Sequence, residues 1–460
     1  MAGASEVQWS SRMAFILAAV GSAIGLGNIW RFPYLAGENG GAAFIALYVF
    51  FVFAIGLPVL IAELTIGRRG GKSPIGSVVA VAKESNVSER WGWVGALGTF
   101  GGGLGLLSFY TVIAGWVMAY IIKAASGMFT NIDAAATSEM MNAYEASAGT
   151  MTTWHLIFTA LTVFIVAKGI KGGLEKAVTY LMPVLFVIVI ALVFYAMAAG
   201  DFAAAVEFLF TPDFSKIDGA VTLNALGQAF FSLSVTVGTM LAYGAYLPKD
   251  ISIHRSATII AAADTGVALI AGLAIFPFVF AYGLAPDSGP SLIFQTLPIA
   301  FGQMPGGTII GTLFFTLLTI AAVTSSISLL EPAVSFLEER LNMNRWRASI
   351  FAGGAAFIVG MLTVFSSNDW KDVLPLAFMG IETIDGSPAH WAKIIDFTVS
   401  NIVMPVGGLL IAVYVGWFVK RDVMKDELGL PEGGIFEIWH VLIKFFCPAA
   451  LIIVLLYTFM

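Results

Sequence analysis

Three short stretches and three lone acids carry polar chemistry where the surrounding sequence is apolar. The first stretch is Gly25-Leu26-Gly27-Asn28, followed by Arg31. The second holds Phe231, Ser232, Ser234, Thr236, Val237 and Gly238, and the third holds Ala321, Thr324, Ser325 and Ser326. The acids are Glu63, Asp264 and Glu331. Each glycine weakens a helix by about 1 kcal/mol relative to alanine. Unwinding near Gly25 frees the carbonyls of Gly21, Ala23 and Ile24 together with nearby amides. Free carbonyls suit a dehydrated hard cation such as Na⁺, and amides at the start of a half-helix suit a carboxylate.

Each feature also has a plainer explanation. Gly21 and Gly25 stand four apart, as they do where small residues let helices pack closely. Hydroxyls in apolar helices commonly bond their own backbone. Asn28 and Arg31 favour a site, because polar groups at membrane depth are costly. A carboxylate in an apolar run can bind a cation, carry a proton or accept from unwound backbone.

The elements that must position these residues are membrane helices. The 460-residue chain is 58% hydrophobic and only 11% charged, with a mean hydropathy of +0.89, whereas soluble domains carry roughly 25% charge. Apolar runs long enough to cross a bilayer predict eleven spans, at about 13–35, 42–69, 91–123, 153–168, 177–198, 222–246, 256–284, 306–336, 348–366, 395–419 and 436–459. Arg12 and the loops after the even-numbered spans hold 17 of the 23 basic residues. The positive-inside rule then puts the N-terminus in the cytoplasm and the C-terminus outside. Lys444 is left over, inside the last span. Spans one and six are both interrupted by glycine and small polar residues, and paired interruptions point to a transporter's binding site.

Trp9–Gly41, with Gly25-Leu-Gly-Asn-Ile-Trp-Arg-Phe-Pro-Tyr34 and Glu38-Asn-Gly-Gly41, resembles the signature of the neurotransmitter:sodium symporter family. Tyr243-Gly-Ala-Tyr246, Thr324-Ser325-Ser326 and Asp396-Phe397 extend the match over nearly the whole chain, closest to prokaryotic members. The resemblance implies an all-α integral membrane protein of the LeuT-type fold, a single transporter domain over 1–460. It implies inverted five-helix repeats at about 13–198 and 222–419, helices one and six unwound mid-membrane, and an extra helix at about 436–459. It also implies two sodium ions. The first would be held by Ala23, Asn28, Ser232 and Asp264, the second by Gly21, Ile24, Ala321, Thr324 and Ser325. Substrate would contact Ser22, Ala23, Gly25, Gly27, Leu106, Tyr110, Phe231, Ser232, Ser234, Val237, Ser325 and Leu329. Arg31, Asp396 and Phe231 would form the outer gate.

Departures from the family pattern sharpen the expectation. Ser22 stands where a leucine-transporting bacterial member has asparagine, and Thr236 and Val237 replace glycine and phenylalanine. Thr236 is expected to add polarity to apolar walls formed by Leu106, Val237 and Leu329. The usual inner-gate pair falls on Glu6 and Glu339, which cannot form a salt bridge, so closure is expected from Trp9, Arg12 and Tyr246. Asp264 replaces an asparagine beside which animal relatives bind chloride near positions matching Tyr48, Gln228 and Ser232. Chloride-independent transport is therefore expected. Gly25 takes the place of the aspartate of monoamine carriers, so the substrate should bring its own anion, as an amino acid, GABA or taurine does. The expected activity is sodium-coupled import of such a zwitterion through a prokaryotic inner membrane. A proton-coupled or sodium-independent carrier of the same fold is the alternative. An enzyme is not expected: His155, His254, His390 and His440 are scattered without metal-ligand spacing. Nor is a nucleic-acid surface, since topology accounts for the basic residues. Nothing in the sequence sets an oligomeric state.

Overall fold

The computed structural model describes residues 8–287, 291–384, 387–431 and 433–458; Glu6 lies outside them. A backbone in hydrocarbon must satisfy its own hydrogen bonds, and the apolar runs accordingly form helices. In chain order these are α1 (Arg12–Ala23), α2 (Gly27–Glu38), α3 (Ala42–Gly70), α4 (Pro74–Glu84), α5 (Glu89–Ala125), α6 (Ala134–Glu145), α7 (Ala148–Ala167), α8 (Ile170–Ala199), α9 (Phe202–Phe210), α10 (Gly219–Ser232), α11 (Thr239–Ala245), α12 (Ile253–Ala281), α13 (292–303), α14 (Gly307–Leu341), α15 (Arg345–Ser366), α16 (Trp391–Phe418), α17 (Arg421–Leu428) and α18 (Ile435–Tyr457). Among the described residues, α3, α5, α7, α8, α12, α14, α15, α16 and α18 are each long and apolar enough to cross a membrane. The α1–α2 pair makes a tenth candidate, bent by 47°. The expected span at 222–246 is instead two short helices, α10 and α11, parted by Leu233–Gly238.

Proline shapes several of these helices. Widened, π-type turns at Gly27–Arg31, Val52–Gly56, Leu292–Thr296, Thr398–Val403 and Leu442–Phe446 each run into a helix whose second residue is proline: Pro33, Pro58, Pro298, Pro405 and Pro448. Proline lacks an N–H and its ring clashes with the carbonyl four residues back. An extra residue in the preceding turn moves that carbonyl aside, so the helix continues without a break.

Helix α14 forms the centre, with 83% of its apolar window buried, against 28% for α18 and 33% for α8, which face outward. It packs on α5, α1, α7 and α15. Residues at both helix breaks bond to α14, the best buried of the candidate spans among the described residues.

Candidate functional site: two broken helices around a buried acid

Ser11 caps α1 by accepting from the Ala14 amide. The helix stops at Ala23, Ile24 is extended, and the chain resumes as α2. The amides exposed by the break find side chains: Gly25 N–H donates to Asn28 Oδ1 at 3.4 Å and Leu26 N–H to the Tyr110 hydroxyl at 3.3 Å. The freed carbonyls find hydroxyls. Ser325 donates to the carbonyls of Gly21 at 3.4 Å and Ser22 at 3.0 Å, and Ser234 donates to Ser22 at 2.9 Å. Ser328 donates to the Ser22 hydroxyl at 2.8 Å. A Cβ on Gly25 would collide with Ser325 Oγ and stand 3.1 Å from the Tyr110 hydroxyl. The Phe231 ring covers Gly27, 2.8 Å from where a Cβ would be.

The second break follows Ser232. Ser234, Thr236 and Gly238 all have positive φ, at 51°, 68° and 80°, a conformation uncommon for non-glycine residues and strained for a β-branched one. Thr236 N–H is held at 2.9 Å by Glu63 Oε1. Glycines on two helices let the segment approach. A Cβ on Gly98, Gly102 or Gly103 of α5 would press on the Thr236 or Val237 backbone at 2.8–3.1 Å. On α16, one on Gly407 or Gly408 would meet Thr236 Cβ at 3.2 Å or Cγ2 at 3.3 Å. Thr236 thus turns its side chain into the Gly407–Gly408 notch, and its buried hydroxyl has no protein partner. This corrects the expectation that Thr236 makes the apolar walls more polar.

Between the breaks lies Asp264 of α12, fully buried. Asn28 donates to its Oδ1 at 2.8 Å and to its carbonyl at 3.0 Å. Its Oδ2 accepts from Ser232 and, at 3.1 Å, from Tyr48, whose hydroxyl is 2.9 Å from Ser232 Oγ. Gln228 donates to the Gly27 carbonyl at 2.7 Å. Among the described residues, no lysine or arginine is a hydrogen-bond partner of Asp264. A charged carboxylate here calls for a cation held by oxygens.

A Cβ on Gly21 would lie 3.4 Å from Thr324 Cβ and 2.9 Å from Met182 Sδ. Thr324 donates to the carbonyls of Ile320 and Ala321 at 3.2 and 3.1 Å. Leu106, Val237 and Leu329 are buried, and a Cβ on Gly103 would touch the carbonyls of both Val237 and Leu329. On one side, the Arg31 guanidinium lies 4.6 Å over the Phe231 ring. Asp396 accepts from Ser400 at 3.1 Å, and no direct Arg31–Asp396 pair forms, although both lie in electrostatic reach of Tyr34. On the other side, Trp9 donates through its backbone to Tyr246 O at 3.1 Å and through its indole to Tyr243 O at 3.2 Å. Tyr246 donates to Glu331 at 2.9 Å, and Glu331 pairs with Arg345. Arg12 is exposed, and Glu339 accepts from the Ser73 amide at 2.6 Å.

Sequence reasoning missed the Ser22–Ser328 contact, the glycines flanking the second break, and the pairing of Glu331 with Arg345. Only the run Gly101-Gly102-Gly103 hinted at the second of these.

The model of the sodium:neurotransmitter symporter family matches residues 6–147 and 135–460. The chain is 38% identical over 461 residues to an uncharacterized sodium-dependent transporter of Bacillus subtilis, covering 99% of this chain and 98% of the relative. It is 34% identical to an uncharacterized sodium-dependent transporter of Haemophilus influenzae, covering 97% and 96%. The crystal structure of MhsT in complex with L-phenylalanine superposes with a TM-score of 0.88 at 38% identity, covering 98% of this chain and 99% of that one.

Proposed function

Because the chain belongs to the sodium:neurotransmitter symporter family, we propose that it imports an apolar α-amino acid with Na⁺, by alternating access around the two helix breaks. The observation that carries this reading is Asp264, a buried carboxylate bonded to Asn28, Ser232 and Tyr48 beside the break at Gly25. One sodium ion would be held by Asp264, Asn28, Ser232 and the Ala23 carbonyl, completed by the substrate carboxylate. A second would sit with the Gly21, Ile24 and Ala321 carbonyls, Thr324 and Ser325, supported by the close approach of Thr324 to Gly21.

Substrate would lie between Ser22, Ala23, Gly25, Gly27, Leu106, Tyr110, Phe231, Ser232, Ser234, Val237, Ser325 and Leu329. Tyr110, whose hydroxyl accepts from the exposed Leu26 amide, would turn its own O–H to the substrate carboxylate. The lack of room at Gly25 for an acid supports a substrate that carries its own anion. The buried walls Leu106, Val237 and Leu329 support an apolar side chain, as does the phenylalanine in the MhsT structure. GABA or taurine would leave those walls facing little but water.

In this reading the chain is one domain of eleven spans, α10 and α11 together forming the sixth. Inverted repeats take in about 13–198 and 222–419, and α18 stands outside them. Arg31, Phe231 and Asp396 close the outer side; Trp9, Tyr246, Glu331 and Arg345 close the inner side. Ion and substrate each complete the other's site, so their coupling is reciprocal. Each charge moved inward gains about 2.3 kcal/mol per 100 mV. The fixed charge of Asp264 would take the place of chloride.

Thermal melting of the purified protein with leucine, phenylalanine, GABA or taurine, in Na⁺ or K⁺, tests the reading. An apolar amino acid should raise the melting point only in Na⁺, since ligand bound to the folded state alone stabilises it. It should do so equally when chloride is replaced by gluconate. Equal shifts in K⁺ would sink sodium coupling; a shift lost in gluconate would sink chloride independence.

A further inference from the structure

The cation that topology leaves over, Lys444, lies inside α18. Its ammonium is 4.7 Å from the Trp417 ring centroid and 5.6 Å from that of Phe445. Helix α16 ends hard against it: Trp417 Nε1 donates to the Lys444 carbonyl at 2.9 Å, and a Cβ on Gly416 would be 2.7 Å from Lys444 Cα. Among the described residues no carboxylate pairs with Lys444. Two more basic groups lie near it. Arg421, at the start of α17, lies 5.4 Å over the Phe436 ring, and both Arg421 and Lys444 are in electrostatic reach of His440. Arg421 is paired with Glu437 of α18. Lys444 is a cation left without a carboxylate among the described residues, and a bound anion would compensate it.

The surroundings say what kind of anion. Trp417, at the end of α16, is 57% exposed, and Phe445 and Ile438, on the outward-facing α18, are 53% and 64% exposed. A tryptophan exposed at a helix end and a lysine beside it are groups that meet lipid headgroups. A free anion would use the cations and leave the apolar surface idle. A phospholipid uses both, with its phosphate between Lys444, Arg421 and His440 and its chains along α18.

We propose that the surface where the end of α16 meets the first half of α18 binds an anionic phospholipid, with Lys444 as the principal contact to its phosphate. It lies on the side where the basic loops gather. The proposal is independent of which amino acid is carried.

The test uses the full-length protein in neutral detergent, with phosphatidylglycerol or phosphatidylcholine titrated in and retained lipid counted by native mass spectrometry. Phosphatidylglycerol should bind more tightly than phosphatidylcholine, and Lys444→Gln should weaken it about fivefold while Lys444→Arg preserves it. Arg421→Gln should weaken it too, which keeps the test decisive if Lys444→Gln does not fold. Sodium-dependent amino-acid binding by the same samples reports folding. Wild-type selectivity for phosphatidylglycerol in Lys444→Gln, or in Arg421→Gln where the former does not fold, overturns the proposal. So does inorganic phosphate that binds there and displaces phosphatidylglycerol at equal concentration, since that would make it a site for a free anion.

Discussion

At Gly25 the packing around the backbone leaves no room for a side chain. A Cβ there has no free volume: Ser325 Oγ stands in its place and the Tyr110 hydroxyl lies 3.1 Å away. Ser325 cannot yield freely, because its hydroxyl ties two carbonyls of the broken helix, Gly21 and Ser22. Overpacking a full site costs about 1–3 kcal/mol. In Gly25→Ala that cost falls on the residues proposed to bind ion and substrate. Sodium-dependent amino-acid affinity should drop about tenfold or more, read from binding isotherms in Na⁺. Affinity equal to wild type would mean that Ser325 rotates away easily and that Gly25 does not limit the pocket.

Among the elements, the break after Ser232 shows where reading the sequence succeeds and where it stops. That α10 ends near Ser232 was legible from clustered hydroxyls at Ser232, Ser234 and Thr236 and from Gly238. The spans were legible because hydrocarbon demands long apolar runs. The direction of the Thr236 side chain was not, because it depends on Gly407 and Gly408, which lie about 170 positions away and only meet it once α16 has packed. The Ser22–Ser328 bond was hidden for the same reason. Packed in that notch, the Thr236 hydroxyl is buried without a protein partner, which costs about 1–3 kcal/mol. Thr236→Val keeps the shape and removes the orphan. It should raise the melting temperature, with a gain of about 1 kcal/mol, and leave amino-acid affinity unchanged. A large loss of affinity would show that the hydroxyl reaches the substrate after all, as the sequence alone suggested.

Across the whole molecule, one guanidinium ties together segments far apart in the chain. Arg68, at the end of α3, donates to the Ile251 carbonyl at 2.5 Å and to Pro248 at 3.4 Å, both in the connection between α11 and α12. It also donates to Glu427 of α17, at 2.5 Å to the side chain and again to the carbonyl. Lys249 adds a contact to Glu427 at 3.0 Å and Arg69 another at 3.3 Å. Burial disfavours charge on Glu427, but the hydrogen bonds from Lys249 and Arg68 prevail and hold its carboxyl below the usual range. A depressed pKa in the fold means that the acid binds protons more readily when unfolded. Its stabilisation is therefore complete above the ordinary carboxylate pKa and is lost as pH falls through the lower folded value. Breaking a buried pair from one side costs about 3–5 kcal/mol. Glu427→Gln should accordingly lower the melting temperature at pH 7, with the deficit narrowing below about pH 5 as the wild-type carboxylate takes up its proton. Melting curves of both proteins from pH 7 to acid decide the matter: a deficit that stays constant with pH would mean that Glu427 acts by shape and hydrogen bonding, not by charge.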